Sequence, residues 1–137
     1  MSEKKLTASL EDYIEVIYSA IVNNQVVKAV EISRELSVSR ASVTEALKKL
    51  EKEGLINYGR YGSIDITELG IKKAKEVIKK HKILEEFFTE ILKLDKSEAR
   101  ENACKIEHII SPKAFSRLEK FLKFAKNKSF VVEFIAK

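Results

Sequence analysis

Apolar residues recur at helical spacing along most of this 137-residue chain. Leu10, Ile14, Ile17, Tyr18 and Ile21 share one helical face and predict a first helix beginning near Ser9. Ser9-Leu10-Glu11-Asp12 resembles a capping box, and Asn23-Asn24 ends the helix. A second helix is expected over about Lys28 to Leu36, carrying Val30, Ile32 and Leu36. Ser37-Val38-Ser39 is a short turn whose last serine caps a third helix. That helix reaches about Glu53 with Val43, Leu47 and Leu50 on one side, and Gly54 suits the left-handed position beyond its end. The period then changes to two. Leu55 to Ile66 reads as a hairpin in which Ile64-Asp65-Ile66 alternates and Gly59 and Gly62 bracket the turn. Helical spacing resumes after Thr67 and predicts helices to about Leu92, from Asp95 to Ile110, and from Ser111-Pro112 to about Ala125. The apolar tail Ser129 to Ile135 is expected to dock as a short helix or strand.

Composition supports a mainly α fold. One proline and four glycines leave few helix breakers, and 45% apolar residues suffice for a core. No apolar run approaches the 18 residues of a membrane span, and Met-Ser-Glu-Lys-Lys at the start lacks the apolar stretch of a secretion signal. A single cysteine allows no intrachain disulfide, consistent with a reducing cytoplasm. The net charge of +5 suits a polyanion only mildly, because 21 acids offset most of the 26 bases.

Three short helices followed by a two-stranded hairpin is the layout of a winged helix-turn-helix. The start of the third helix offers Ser39, Arg40, Ala41, Ser42 and Thr44, short side chains plus one guanidinium. Arg40 can reach guanine or phosphate, and Ala41 a thymine methyl group. Lys48, Lys49 and Lys52 further along could touch phosphates, and Arg60 and Tyr61 at the hairpin tip suit phosphate or minor-groove contact. The same residues are also compatible with a solvated helix face, and helix-turn-helix units sometimes bind only protein.

The chain also holds metal-ligand chemistry. Cys104, Glu107 and His108 stand at i, i+3 and i+4, so one face of a helix would present a thiol, a carboxylate and an imidazole. His81 and Glu85 are i, i+4 within the seam Ile78, His81, Glu85, Phe88; Asp12 and Glu15 are i, i+3 on the first helix. Taken singly, Asp12 and Glu15 could be solvated acids, His81 with Glu85 a surface pair, and Cys104 a small buried hydrophobe.

Together these segments resemble a known family. Leu10-Glu11-Asp12-Tyr13-Ile14-Glu15-Val16-Ile17-Tyr18, the helix-turn-helix with Ser39 to Glu51, Lys80-His81-Lys82-Ile83-Leu84-Glu85 and Ala103-Cys104-Lys105-Ile106-Glu107-His108 are similar to the diphtheria-toxin-repressor/manganese-regulator (DtxR/MntR) family. The resemblance runs from about Thr7 to Phe121 with the motifs in the same order. It implies a homodimeric, metal-activated transcriptional repressor in the cytoplasm, acting on a palindromic double-stranded DNA operator. Residues 1–66 would form the winged helix-turn-helix domain and residues 67–137 an all-helical metal-binding and dimerisation domain, with the metal between them. By carry-over, Asp12, Glu15, His81, Cys104, Glu107 and His108 would be ligands and Glu85 an accessory-site acid. Asp12 and Glu15 match the manganese-type branch and Cys104 the iron-type branch, whose accessory histidine is replaced here by Arg100. The SH3-like domain of longer iron-type members is not expected, and the apolar tail departs from the short manganese type.

The implied cofactor is Fe(II) or Mn(II), one or two per subunit, with Co(II) or Zn(II) able to substitute in vitro. No organic cofactor and no membrane association are expected. The rival readings are a winged-helix regulator answering to an organic ligand, and a metal-dependent hydrolase. The hydrolase is disfavoured because the chain has no HExxH, no Gly-rich phosphate loop and no nucleophile elbow.

Overall fold

The computed structural model describes residues 8–126 and 128–136, and their side chains except at positions 8, 9, 60, 130, 132 and 136. The N-terminal Met-Ser-Glu-Lys-Lys lies outside the described residues. The elements run α1 (Ala8–Val22), α2 (Ala29–Leu36), α3 (Arg40–Lys52), β1 (Ile56–Tyr58), β2 (Ile64–Ile66), α4 (Glu68–Glu86), a π-helical turn (Phe87–Ile91), α5 (Lys96–Ile106), α6 (Pro112–Ala125) and α7 (Ser129–Ala136). The fold is therefore mainly α with a two-stranded wing, as the periodicity predicts. The chain divides into two compact units between Val77 and Ile78.

The first unit is built on one core. Tyr13, Ile14 and Ile17 of α1 pack with Ile32 of α2, Val43, Leu47 and Leu50 of α3, and Ile56 and Ile64 of the wing. Each such side chain contributes about 1.5–3 kcal/mol by leaving water. Ser37 closes the turn between α2 and α3 in the left-handed region (φ 55°), and the Ser33 hydroxyl donates to the Val38 carbonyl across it at 2.5 Å. Ser39 caps α3 as expected, its hydroxyl accepting from the Ser42 amide at 3.0 Å. Ser9 does not precede α1: the helix already includes it, so its expected capping position falls inside the first turn.

The wing is antiparallel, with Ile56 opposite Ile66, Asn57 opposite Asp65 and Tyr58 opposite Ile64. Two features fix it to the helices. The Tyr58 amide donates to the Glu51 carboxylate of α3 at 3.0 Å. At the base, the Thr67 hydroxyl donates to the Gly54 carbonyl at 2.7 Å while accepting from the Gly70 amide at 3.0 Å, so Thr67 caps α4 and clamps the hairpin. Gly70 is required there, because a Cβ would lie 2.1 Å from the Leu55 carbonyl oxygen. At the tip, Tyr61 adopts φ 63°, ψ 20°, a region that costs a side-chain-bearing residue about 1–2 kcal/mol.

In the second unit, Ile91, Leu122, Ala125 and Val131 form a small core, with Ile83, Phe87 and Leu92 against it. The expected helix to Leu92 changes at Phe87 into the π turn, on which both α5 and α6 pack. Phe87 sits edge-on to Phe88 and tilted against Phe121, with ring centres 5.9 and 6.5 Å apart. Lys126 pairs with Glu86, and Lys79 with Glu119 at 3.6 Å. The Asp95 and Ser111 caps form as expected, at 2.8 Å to the Glu98 amide and 3.1 Å to the Ala114 amide. The tail resolves as a helix, α7, anchored by buried Val131. Among the described residues, no helix is long and apolar enough to cross a membrane.

Candidate metal centre and nucleic-acid interface

The nucleic-acid candidates lie where the sequence puts them, at the start of α3. Arg40, Ala41 and Ser42 are exposed, Thr44 is half-buried and Lys48 is exposed one turn later. The opposite side of the same helix is buried through Val43, Ala46, Leu47 and Leu50, so the polar face is rigidly presented. Some of its hydroxyls already have local work. Ser39 donates to the Ser42 hydroxyl at 3.0 Å, and Thr44 donates to the Arg40 carbonyl at 3.1 Å. Ser42 can still pass its own proton outward, whereas Ser39 serves mainly to hold the helix start. The Arg60 side chain lies outside the described residues.

The metal candidates divide between the units. Asp12 and Glu15 are half-buried on α1 in the first unit. Neighbouring Glu11 is buried outright and pairs with Lys73 of α4 at 3.6 Å. In the sequence Glu11 marks only the helix start, and its position beside the Leu10 and Ile14 face is the one signal that it turns inward. His81, Glu85, Cys104, Glu107 and His108 belong to the second unit and converge there. His81 Nδ1 lies 2.7 Å from Glu107 Oε1, and His108 Nε2 lies 3.4 Å from Glu107 Oε2. On its other edge His81 Nε2 lies 3.4 Å from Glu85 Oε1. Cys104 Sγ approaches His81 Nδ1 at 3.8 Å. The result is a chain of donors, Glu85 to His81 to Glu107 to His108, with the thiol beside its middle link.

Two expectations about this cluster need correction. α5 stops at Ile106, not Ile110, so Cys104 is helical, Glu107 is the C-cap and His108 lies in the following turn. The Ile109 and Ile110 amides both donate to the Ile106 carbonyl, tightening the chain before extended Ser111 (ψ 155°), as the proline at 112 requires. The three ligand types meet through a helix end, not along one helical stripe. Cys104 is also exposed, which removes its reading as a small buried hydrophobe.

The donor set suits a divalent first-row cation. It combines two imidazoles, two carboxylates and a thiol, with successive donor atoms 2.7 to 3.8 Å apart along the chain of contacts. Glu107 is the centre of the set: it is 3% exposed, and both its oxygens face imidazole nitrogens. A buried carboxylate is costly unless a cation or hydrogen-bond donor faces it.

Comparison with known proteins agrees with both halves. Residues 5–64 match the family described as iron dependent repressor, N-terminal DNA binding domain. Residues 67–130 match the iron dependent repressor, metal binding and dimerisation domain. The chain is 40% identical over 124 residues to an HTH-type transcriptional regulator of Methanocaldococcus jannaschii, covering 90% of this chain and 99% of that one. It is 33% identical over 121 residues to the HTH-type transcriptional regulator MntR of Listeria welshimeri, covering 88% and 84% respectively. Its fold is similar to the structure of the manganese regulator SloR, with a TM-score of 0.75 and 30% identity over 84% of this chain and 54% of the other. It thus spans about half the length of that solved structure. Winged helix, donor cluster and both family matches lead to one conclusion: the chain belongs to the iron-dependent repressor family, the diphtheria-toxin-repressor/manganese-regulator group.

Proposed function

We propose that this protein is a metal-activated, DNA-binding transcriptional repressor that works in the cytoplasm as a homodimer and senses Fe(II) or Mn(II). The observation that carries the reading is buried Glu107 held between His81 and His108. In this reading residues 1–66 read DNA and residues 67–137 bind metal and dimerise, a division supported by the matches over residues 5–64 and 67–130. In this reading it is a regulator and not an enzyme.

His81, Cys104, Glu107 and His108 would hold the ion, with Glu85 on the far edge of His81 as an accessory ligand. The family resemblance adds Asp12 and Glu15. When bound, the metal would supply the positive charge that these carboxylates and imidazoles face. The residues themselves do the rest. Glu107 orients the two imidazoles, and the Ser39 cap and the α3 core hold Arg40, Ala41, Ser42 and Thr44 in position. Arg40 and Ser42 would reach base edges, while Lys48 and Arg60 would touch phosphates. A two-fold dimer calls for a palindromic operator with half-sites about 34–36 Å apart. Metal and DNA binding are then linked, and each strengthens the other by the same factor, typically ~5–150-fold.

The test begins with duplexes selected from a random pool with Mn(II) present. Their binding is then followed by fluorescence anisotropy, without oxygen, across Mn(II), Fe(II), Co(II) and Zn(II). Binding should appear with metal and vanish with a chelator. Duplex binding indifferent to both metal and chelator would overturn the reading.

A further inference from the structure

Two charged side chains are buried among the described residues, Glu107 and Glu11. Glu107 lies at the candidate metal centre. Glu11 lies in the first turn of α1, immediately before Asp12, and is 6% exposed. The amides of a first helical turn favour an acid without taking it out of water. Glu11 turns inward all the same and meets Lys73 of α4, its carboxylate 3.6 Å from the ammonium. The lysine side chain keeps 30% of its surface in water, so the pair is closed on the Glu11 side and open on the other.

A buried ion pair is a poor way to gain stability. Desolvation of the charges offsets most of their attraction, and apolar side chains of similar volume often hold as well or better. What a pair does supply is a preferred placement. One carboxylate must face one ammonium, whereas apolar contacts can slide past each other. Both helices already share a core, in which Ala74 of α4 packs with Tyr13, Ile14 and Ile17 of α1. The pair adds a fixed point beside that packing, one residue before Asp12 on α1 and one before Ala74 on α4. Further along, α4 carries His81.

We propose that the Glu11–Lys73 pair is a positioning device for the metal response. It fixes the first turn of α1 against α4 and so sets the direction in which Asp12 is offered to an ion. Neither partner touches the ion itself. This inference rests on the metal-sensing reading given above, with Asp12 as a ligand.

The test is calorimetric titration of the full chain with Mn(II), at a temperature where circular dichroism shows parent and variants equally folded. Lys73→Met removes a positive charge. Charge alone would then make the protein more attractive to a divalent cation, and Mn(II) would bind as before or tighter. Loss of positioning has the opposite sign, with affinity lower by about 3- to 30-fold. Glu11→Gln keeps the shape and should lose a similar factor. Glu11→Gln/Lys73→Met leaves the net charge of the pair unchanged at zero and strands no buried carboxylate. It should be no weaker than either single variant, because residues that act as a unit do not add. Its metal-free thermal midpoint should stay close to the parent's, so the loss of affinity is not a loss of fold. The double variant also decides the matter if Lys73→Met fails to fold around its uncompensated acid.

Parent-like Mn(II) affinity in the double variant would overturn the positioning role and leave the metal-sensing reading intact. Tighter binding by Lys73→Met, or single losses that simply add in the double variant, would overturn it too. If the parent protein takes up none of Mn(II), Fe(II), Co(II) and Zn(II), the reading and this proposal fail together.

Discussion

Glu107 concentrates the chemistry of the candidate centre in one side chain. Nearly all of it is out of water, and each carboxylate oxygen faces a different histidine. Glu107→Gln keeps the shape and removes the charge, so Mn(II) and Fe(II) affinity should fall at least about tenfold, as loss of a directly bound or orienting group does. Calorimetric titration measures the loss, and an unchanged circular dichroism spectrum confirms that the fold survives. Cys104 is the opposite case. It is exposed, so Cys104→Ala should change stability by no more than about 0.5 kcal/mol. Competition titrations should show affinity for Zn(II) and Co(II) falling more than affinity for Mn(II), because thiolate favours the softer ions. The residue types of the cluster were legible from the sequence. The pairing of His81 with Glu107 was not, since 26 residues separate them and no helical spacing links them. The exposure of Cys104 was equally hidden, because a small thiol on a helix reads the same whether it faces core or water.

At the level of elements, legibility followed capping chemistry. Ser39, Thr67, Asp95 and Ser111 each cap the helix they were expected to start, because a short polar side chain satisfies an amide that the helix itself leaves unpaired. Helix ends and interruptions were less visible. The π turn at Phe87–Ile91 keeps an apolar pattern that an α-helix would also show, and only packing from α5 and α6 selects it. The tail was ambiguous for a related reason: it is too short for periodicity to decide. The sharpest prediction at this scale concerns Gly70. Its missing Cβ admits the Leu55 carbonyl and the Ile66 side chain, so Gly70→Ala must push the hairpin base away from α4. The expected cost is about 1–3 kcal/mol, the usual penalty for overpacking, despite alanine's better helix propensity. Urea unfolding checks it; an unchanged midpoint would mean the hairpin base yields freely.

For the whole molecule, the proposal makes metal a folding ligand as well as a signal. At a free concentration of 100 times the Kd, a bound ion adds about 2.7 kcal/mol to the stability of the native state. Thermal unfolding with increasing Mn(II) should therefore shift upward, and a chelator should reverse the shift. Glu107→Gln should show little of either effect. The mainly α architecture, the wing and their order were legible because pattern, punctuation and composition agreed. The mutual arrangement of ligands depends on tertiary contacts, which periodicity does not encode.

The early end of α5 has a consequence for metal choice. An α-helix carries roughly half a unit of negative charge at its C-terminus, from carbonyls aligned along the axis. Glu107 is the C-cap of α5, so its carboxylate adds to a field that is already negative. That field draws any cation and belongs to the backbone, beyond the reach of side-chain substitution. Variants lacking Cys104 or His108 should thus keep a weak, unselective attraction for divalent ions. Attraction and discrimination then reside in different parts of the chain: the helix end calls for positive charge, and the side chains decide which ion answers.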